Sequence, residues 1–118
     1  MAAIANLTID QGATFSSDVT VKDANGNPFN LTGYTAQAKM AKGFASTRTR
    51  INMTTSIATD ATTGVVTLSL TAAESGALDA ERYVYDLEIT SGAGVTRVIE
   101  GLITVRPQVT TLSNYFQL

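Results

Sequence analysis

The chain contains no cysteine, no histidine and no tryptophan among its 118 residues. Without cysteine it has neither a disulfide framework nor a thiolate nucleophile. Without histidine it lacks the commonest general base and the commonest metal ligand. Catalytic chemistry would have to rest on carboxylates alone. We therefore expect a protein that is not an enzyme and that uses no cofactor and no metal.

An excess of charge of one sign is also missing. The 8 basic and 10 acidic side chains give a formal net charge of −2, which is too balanced for a nucleic-acid binder. No window approaches the roughly 18 apolar residues of a membrane span. The first ten residues lack the basic start and apolar core of a secretory signal. We expect neither a nucleic-acid nor a membrane partner, and synthesis in a cytoplasm.

What the chain does have is an alternation of apolar and polar residues, which is typical of strands with one buried face. The alternation is clearest at positions 66, 68 and 70 and at positions 83, 85, 87 and 89. Between these segments, Thr71 and Glu74 have the spacing of a capping box, in which a hydroxyl and a carboxylate bind amides at a helix start. One short helical turn is therefore predicted near residues 71–78.

Turn-forming residues divide the rest of the chain into further short strands. The breaks fall at Gly12 and in the segments 23–28, 60–64 and 91–94. About seven or eight strands with one brief helix predict an all-β protein, folded as an antiparallel, immunoglobulin-like β-sandwich.

The last predicted strand, 95–105, carries apolar residues on both faces. Parity places Val98 and Leu102 on the outer face. The inner face would hold Val95, Ile99, Ile103 and Val105. An apolar outer face indicates either a central strand or a strand packed against a partner, so Val98 and Leu102 are candidate partner-binding residues.

The segment 41–50 loses the strand pattern, and Phe44 is its only large apolar residue. Loops of this length are uncommon in compact domains and often carry binding residues. Arg48 and Arg50 either dock an acidic neighbour or remain solvated charges. Phe44, Arg48 and Arg50 are therefore further candidates for partner binding.

The length of the chain fits a single sandwich domain, expected at residues 1–110, with a C-terminal arm at 111–118. The arm carries Tyr115, Phe116 and Leu118. Fully burying such side chains is worth roughly 1.5–3 kcal/mol each. They either pack back on their own domain or dock on a neighbouring subunit, and we include them among the candidate residues.

Six segments, in this order and spacing, resemble small virion structural proteins of tailed phages, especially phages of marine cyanobacteria. They are IDQGATF (9–15), VKDANG (21–26), LTGY (31–34), GVVTLSL (64–70), YVYDLE (83–88) and EGLITV (100–105). The same order resembles the N-terminal sandwich of phage baseplate upper proteins. The resemblance covers roughly residues 5–110.

This resemblance implies a multi-copy virion subunit that docks on other virion proteins, as a tail, baseplate or neck adaptor or as a capsid decoration. Baseplate upper proteins continue into further domains. A chain that stops at Leu118 is therefore expected to be free-standing rather than joined to a receptor-binding module.

Two other functions would use residues of the strand 83–90. Tyr83 and Tyr85 would suit sugar stacking in a carbohydrate-binding module, although their parity with Leu87 favours a core role. Asp86 and Glu88 share the opposite face, roughly 7 Å apart, which would suit paired catalytic carboxylates. A solvated strand face is the simpler interpretation. The carbohydrate-binding module remains the alternative function, and no small-molecule substrate is expected.

Overall fold

Eight strands and two short helical turns build the protein, and the computed structural model describes residues 2–45 and 47–109. A 3₁₀ turn spans Ala61–Thr63, and helix α1 spans Ala72–Gly76. The strands are β1 (Ala3–Ile4), β2 (Leu7–Asp10), β3 (Phe15–Thr20), β4 (Thr35–Ala41), β5 (Ile51–Ile57), β6 (Val65–Leu70), β7 (Arg82–Ser91) and β8 (Gly94–Arg106).

Strand β5 connects two sheets because its two halves pair with different neighbours. Ile51 and Met53 pair with β4, whereas Thr54 and the residues up to Ile57 pair with β6. The larger sheet holds β1 and β2, then β8, β7, β4 and the first half of β5. The smaller sheet holds the second half of β5, then β6 and β3.

The pairs among β3 to β8 are antiparallel, whereas β1 and β2 both pair with β8 in parallel. The predicted antiparallel β-sandwich is therefore confirmed, with a parallel addition at one edge. Strands β5 and β6 form one hairpin, and β7 and β8 form another, at the breaks predicted in segments 60–64 and 91–94.

The core lies between the two sheets and follows the alternation read from the sequence. The four inward side chains of β7, which begin with Tyr83 and Tyr85, are at most 3% exposed. Their outward neighbours Val84, Asp86 and Glu88 are half-buried. The core role predicted for the two tyrosines is confirmed.

The predicted helical turn forms through its capping box. The Thr71 hydroxyl accepts from the Glu74 N–H at 3.1 Å, and the Glu74 carboxylate accepts from the Thr71 N–H at 2.8 Å. The buried hydroxyl of Ser75 donates to the Ala13 carbonyl at 2.7 Å and accepts from the Gly12 N–H at 3.1 Å. Helix α1 is thereby attached to the connection between β2 and β3.

A bulge in β8 reverses the expected orientation of its first residues. Leu87 pairs with Ile99, but the next residue of β7 pairs with Arg97, so Val98 is the extra residue of β8. One inserted residue exchanges the two faces of a strand. The prediction that Val95 shares the inner face with Ile99 is wrong for this reason, and Val95 is 62% exposed.

The parallel docking of the N-terminal strands depends on a glycine in β8. A Cβ atom at Gly101 would lie 2.2 Å from the Ala5 carbonyl oxygen, so a larger residue would push β1 and β2 away. The Tyr85 hydroxyl donates to the same carbonyl at 2.6 Å. The Asn6 side-chain oxygen accepts from the Leu102 N–H at 3.0 Å.

Tyr85→Phe should flatten the loss of stability at alkaline pH. Burial raises the pKa of the Tyr85 hydroxyl from 10.0 to about 12. Because the folded pKa lies above the ordinary value, the stabilisation is complete below pH 10 and is lost as the pH rises through 12. The variant should also lose about 1 kcal/mol at neutral pH with the hydrogen bond to Ala5.

Urea unfolding of both proteins at neutral pH and again at alkaline pH measures the two effects. The phenylalanine ring keeps the packing of the tyrosine, so the difference between the proteins reports the hydroxyl. An identical fall in the free energy of unfolding for both proteins would contradict the assignment.

Candidate docking face

The outer face of the larger sheet carries an apolar row that crosses three strands. Ala41 of β4 pairs with Val84 of β7, and Val84 pairs with Leu102 of β8. Paired residues place their side chains on the same face of a sheet, within contact distance. Leu102 is 37% exposed, so the row reaches the surface at this strand.

Two strongly exposed side chains lie near the ends of this row. Phe44, in the loop after β4, is 80% exposed and lies beside Ala41 and Val84. Ile4 of β1 is 69% exposed. It pairs with Glu100, two residues from Leu102 on the same face of β8, and therefore lies diagonally next to Leu102. We call Ala41, Phe44, Val84 and Leu102, together with the diagonal neighbour Ile4, the apolar row.

A ladder of charged residues runs beside the apolar row. On each strand the charged residue is two residues from the apolar one and therefore lies on the same face. Lys39 pairs with Asp86, and Asp86 pairs with Glu100. Arg97 makes ion pairs with Asp86 at 3.2 Å and with Glu100 at 3.5 Å. Exposed pairs of this kind add at most about 1 kcal/mol each. Their main consequence is that Arg97 offsets part of the negative charge that Asp86 and Glu100 place beside the apolar row.

The loop that carries Phe44 is held by its own arginine. The Arg50 guanidinium donates to the carbonyls of Ala45 and Arg48, both at 3.0 Å, and to that of Phe44 at 3.4 Å. Lys42, at the start of the loop, makes ion pairs with Asp79 and Glu81. Arg50 therefore shapes the loop from within.

Phe44 and Arg50 line a shallow depression of about 320 Å³ on the outer face. Arg48 instead lines a separate depression with Lys42 and Tyr83. The three candidate residues of the loop are thus divided between two surfaces. The remaining walls of the first depression include Gln37, Lys39, Val84, Asp86 and Glu88.

The structure unites only some of the residues that the sequence marked for partner binding. Phe44 and Arg50 line one depression on the outer face, and Leu102 lies on the same face, paired with Val84 of that depression. Val98 is half-buried at the bulge and packs against the core. The candidates Tyr115, Phe116 and Leu118 lie outside the described residues.

Sequence reasoning missed Ile4, Ala41 and Val84 as members of the apolar row. Val84 lies on the otherwise polar face of β7. An apolar residue at such a position is a sequence signal for apolar surface on that face. Ile4 gave none, because its position follows from parallel pairing with a strand almost a hundred residues away.

Other kinds of site find little support in the described residues. Within 2–45 and 47–109, no three Asp or Glu residues are grouped so that they could hold a metal ion. No helix in this part of the chain is long and apolar enough to span a membrane. Tyr34 packs edge-to-face on Phe29, with ring centres 5.5 Å apart, so it is not a free stacking platform.

No family model matches the chain, and no curated protein sequence matches it. Many solved structures are similar to it, and two of them illustrate the likeness. A chicken TCR aligns with a TM-score of 0.55 and 11% identity over 89% of this chain and 54% of the TCR chain. The N-terminal domain of phage TP901-1 ORF48 aligns with a TM-score of 0.53 and 12% identity over 86% of this chain and 85% of that domain.

The present chain spans about half the length of the TCR chain. At these identities, the similarity concerns the fold. The predicted class, an all-β immunoglobulin-like β-sandwich, is confirmed, and one protein with this fold is a phage protein.

Arg50→Ala should loosen the loop without unfolding the domain. Removing the guanidinium takes one donor from each of the carbonyls of Phe44, Ala45 and Arg48, although the Ala45 carbonyl still accepts from the Arg48 N–H. A loss of about 1 kcal/mol in local stability corresponds to about fivefold faster opening. Chymotrypsin cleavage after Phe44 should therefore accelerate about fivefold. Arg48→Ala, which removes a neighbouring charge but not these hydrogen bonds, should leave the rate unchanged, and equal acceleration in both variants would contradict the role of Arg50.

Proposed function

We propose that the chain is a non-enzymatic structural subunit of a phage virion, which docks on other virion proteins through the outer face of its larger sheet. The observation that carries this proposal is the apolar row, whose members Phe44, Ile4 and Leu102 are exposed. Contiguous exposed apolar surface with a polar rim is typical of protein-binding sites.

The charged ladder supports docking rather than catalysis. Asp86, one of the two carboxylates considered as a catalytic pair, makes an ion pair with Arg97 at 3.2 Å. The pair stands on an open strand face rather than in the enclosed cleft in which active sites commonly lie. Asp86 and Glu88 therefore serve best as the polar rim of the apolar row.

The location in a phage particle is supported by two separate observations. Six sequence segments resemble tailed-phage virion proteins, cyanophages in particular. The fold is also similar to that of the N-terminal domain of phage TP901-1 ORF48 over most of both chains. We propose a tail, baseplate or neck adaptor or a capsid decoration present in many copies, because multiple copies make small individual contacts sufficient.

Replacing Phe44 and Leu102 together by Ser should abolish incorporation into particles while the domain stays folded. Burying two such side chains at an interface is worth about 3–6 kcal/mol, so even part of this loss weakens docking more than tenfold. Purified particles from cells that supply the variant in place of the natural protein can be assayed for the subunit by mass spectrometry. Circular dichroism of the free variant checks the fold.

Val95→Ser is the matched control, because Val95 is 62% exposed and apolar but is not part of the apolar row. It should be incorporated normally. Normal incorporation of the Phe44 and Leu102 variant would refute the outer face as the docking site. Equal loss in the control would show that general surface polarity, not this face, decides incorporation.

Phe44 also favours the alternative of a carbohydrate-binding module, since an exposed aromatic beside polar side chains is a stacking platform for sugars. Phe44 is the one aromatic residue among the exposed large apolar side chains of residues 2–45 and 47–109. Glycan-array binding that Phe44→Ser abolishes and Leu102→Ser preserves would favour this alternative. The docking proposal expects no glycan signal.

A further inference from the structure

One asparagine stands directly before a glycine at the tip of the connection between β3 and β4. The chain has six asparagines, and Asn25 is the one that a glycine follows. The backbone nitrogen of the next residue can attack an asparagine carboxamide and close a five-membered succinimide ring. A glycine has no side chain to hinder this attack. The sequence therefore marks the Asn25 carboxamide as a reactive group.

The structure leaves this tip exposed and anchors its base. Residues 22–28 are all exposed, and a Cβ atom at Gly26 would meet nothing within 4 Å in the described part of the chain. At the base, the Phe29 N–H donates to the Val21 carbonyl at 2.8 Å, and the Val21 N–H donates to the Gly64 carbonyl at 2.8 Å. Val21 is itself buried. The tip can therefore change covalently while the core stays intact.

Three other asparagines are held or blocked. The side-chain oxygens of Asn6 and Asn30 each accept a backbone N–H at 3.0 Å. Asn27 is exposed on the same tip, but it precedes Pro28, whose nitrogen carries no hydrogen and cannot close the ring. The Asn25 carboxamide, in contrast, makes no hydrogen bond to any described residue.

Hydrogen bonds to Asp23 hold the tip closed. The Asp23 carboxylate accepts from the N–H groups of Asn25 at 2.9 Å and Asn27 at 3.0 Å. Its backbone carbonyl accepts from the Gly26 N–H at 3.0 Å. This third bond engages the proton that the attacking nitrogen must lose. Ring closure therefore requires the turn to open, and Asp23 determines how often it opens.

We propose that Asn25 is a site of spontaneous deamidation and that Asp23 slows the reaction. The Gly26 nitrogen loses its proton and forms a bond to Asn25 Cγ, while the carboxamide C–N bond breaks and ammonia leaves. Water then adds to either ring carbonyl and yields aspartate or isoaspartate. Both products add one negative charge, and isoaspartate also adds one carbon to the main chain. The site lies outside the apolar row, so the proposal does not depend on the proposed function.

Incubation of the purified full chain at mildly alkaline pH, followed by peptide mass spectrometry, tests the reaction. Asn25 should be converted to two separable products, aspartate and isoaspartate, whereas Asn27 should stay intact. Isoaspartate is the signature of the ring, because direct hydrolysis of the carboxamide yields aspartate alone. Aspartate as the single product, or conversion of Asn25 no faster than that of Asn6, would overturn the proposal.

Asp23→Ala tests the slowing of the reaction. The variant removes the carboxylate acceptor, so the turn should open more often and the conversion of Asn25 should accelerate about fivefold or more. Asp60→Ala is the matched control, because the Asp60 carboxylate accepts from the Thr62 N–H in a different exposed turn. It should leave the rate unchanged. Equal rates in all three folded proteins, or equal acceleration in both variants, would refute the role of Asp23.

The same incubation in urea separates the turn from the charge of the carboxylate. In the unfolded chain the turn is already open, so the natural chain and Asp23→Ala should convert Asn25 at equal rates. A difference in urea as large as that in the folded proteins would show that the nearby charge slows the attack, and it would overturn the role of the hydrogen bonds.

Discussion

The alternation of strand β7 is the constraint on which both the core and the outer face depend. Its inward side chains, from Tyr83 to Ile89, fill the space between the sheets and are at most 3% exposed. Its outward side chains Val84, Asp86 and Glu88 stand at the centre of the apolar row and the charged ladder. A shift of one residue in its pairing would exchange these two sets. The burial of the two tyrosines therefore holds the outer face in its register.

Polar contacts at one end of the sandwich join strand ends that the apolar core does not connect. The side-chain amide of Gln11 donates to the Leu78 carbonyl at 2.7 Å, and its oxygen accepts from the Gln108 N–H. Ser75 joins helix α1 to the turn at Gly12. A buried polar group without partners would cost about 1–3 kcal/mol, so these residues specify how the strand ends meet, in addition to the stability that they contribute.

Features that depend on residues close in the sequence were predictable, and features that depend on pairing between distant strands were not. The capping box of Thr71 and Glu74 and the inward set of β7 follow from local spacing. The bulge at Val98 does not, because it is a property of two paired strands, and parity therefore placed Val95 wrongly.

The same limit applies to the candidate docking face. Phe44 and Leu102 could be selected as exposed apolar residues of a loop and of a two-faced strand. Their assembly into one row with Ile4 requires the register of β1, β8, β7 and β4, whose partners lie tens of residues apart. The hydrogen bonds of Arg50 to its own loop also depend on the folded path of that loop. The sequence therefore gave Arg48 and Arg50 the same role, whereas the structure places them on two different surfaces.

The arrangement of the outer face also suits a subunit that must remain soluble before it docks. The apolar row is one residue wide and is bordered by paired charges, so it exposes no broad apolar surface for non-specific association. A row of this width supplies only a few contacts in each copy. In the proposed virion role, repetition of the subunit would add these contacts without new chemistry. The ion pairs of Arg97 with Asp86 and Glu100 leave these two carboxylates with an opposite charge when a partner covers the face, which lowers the cost of burying them.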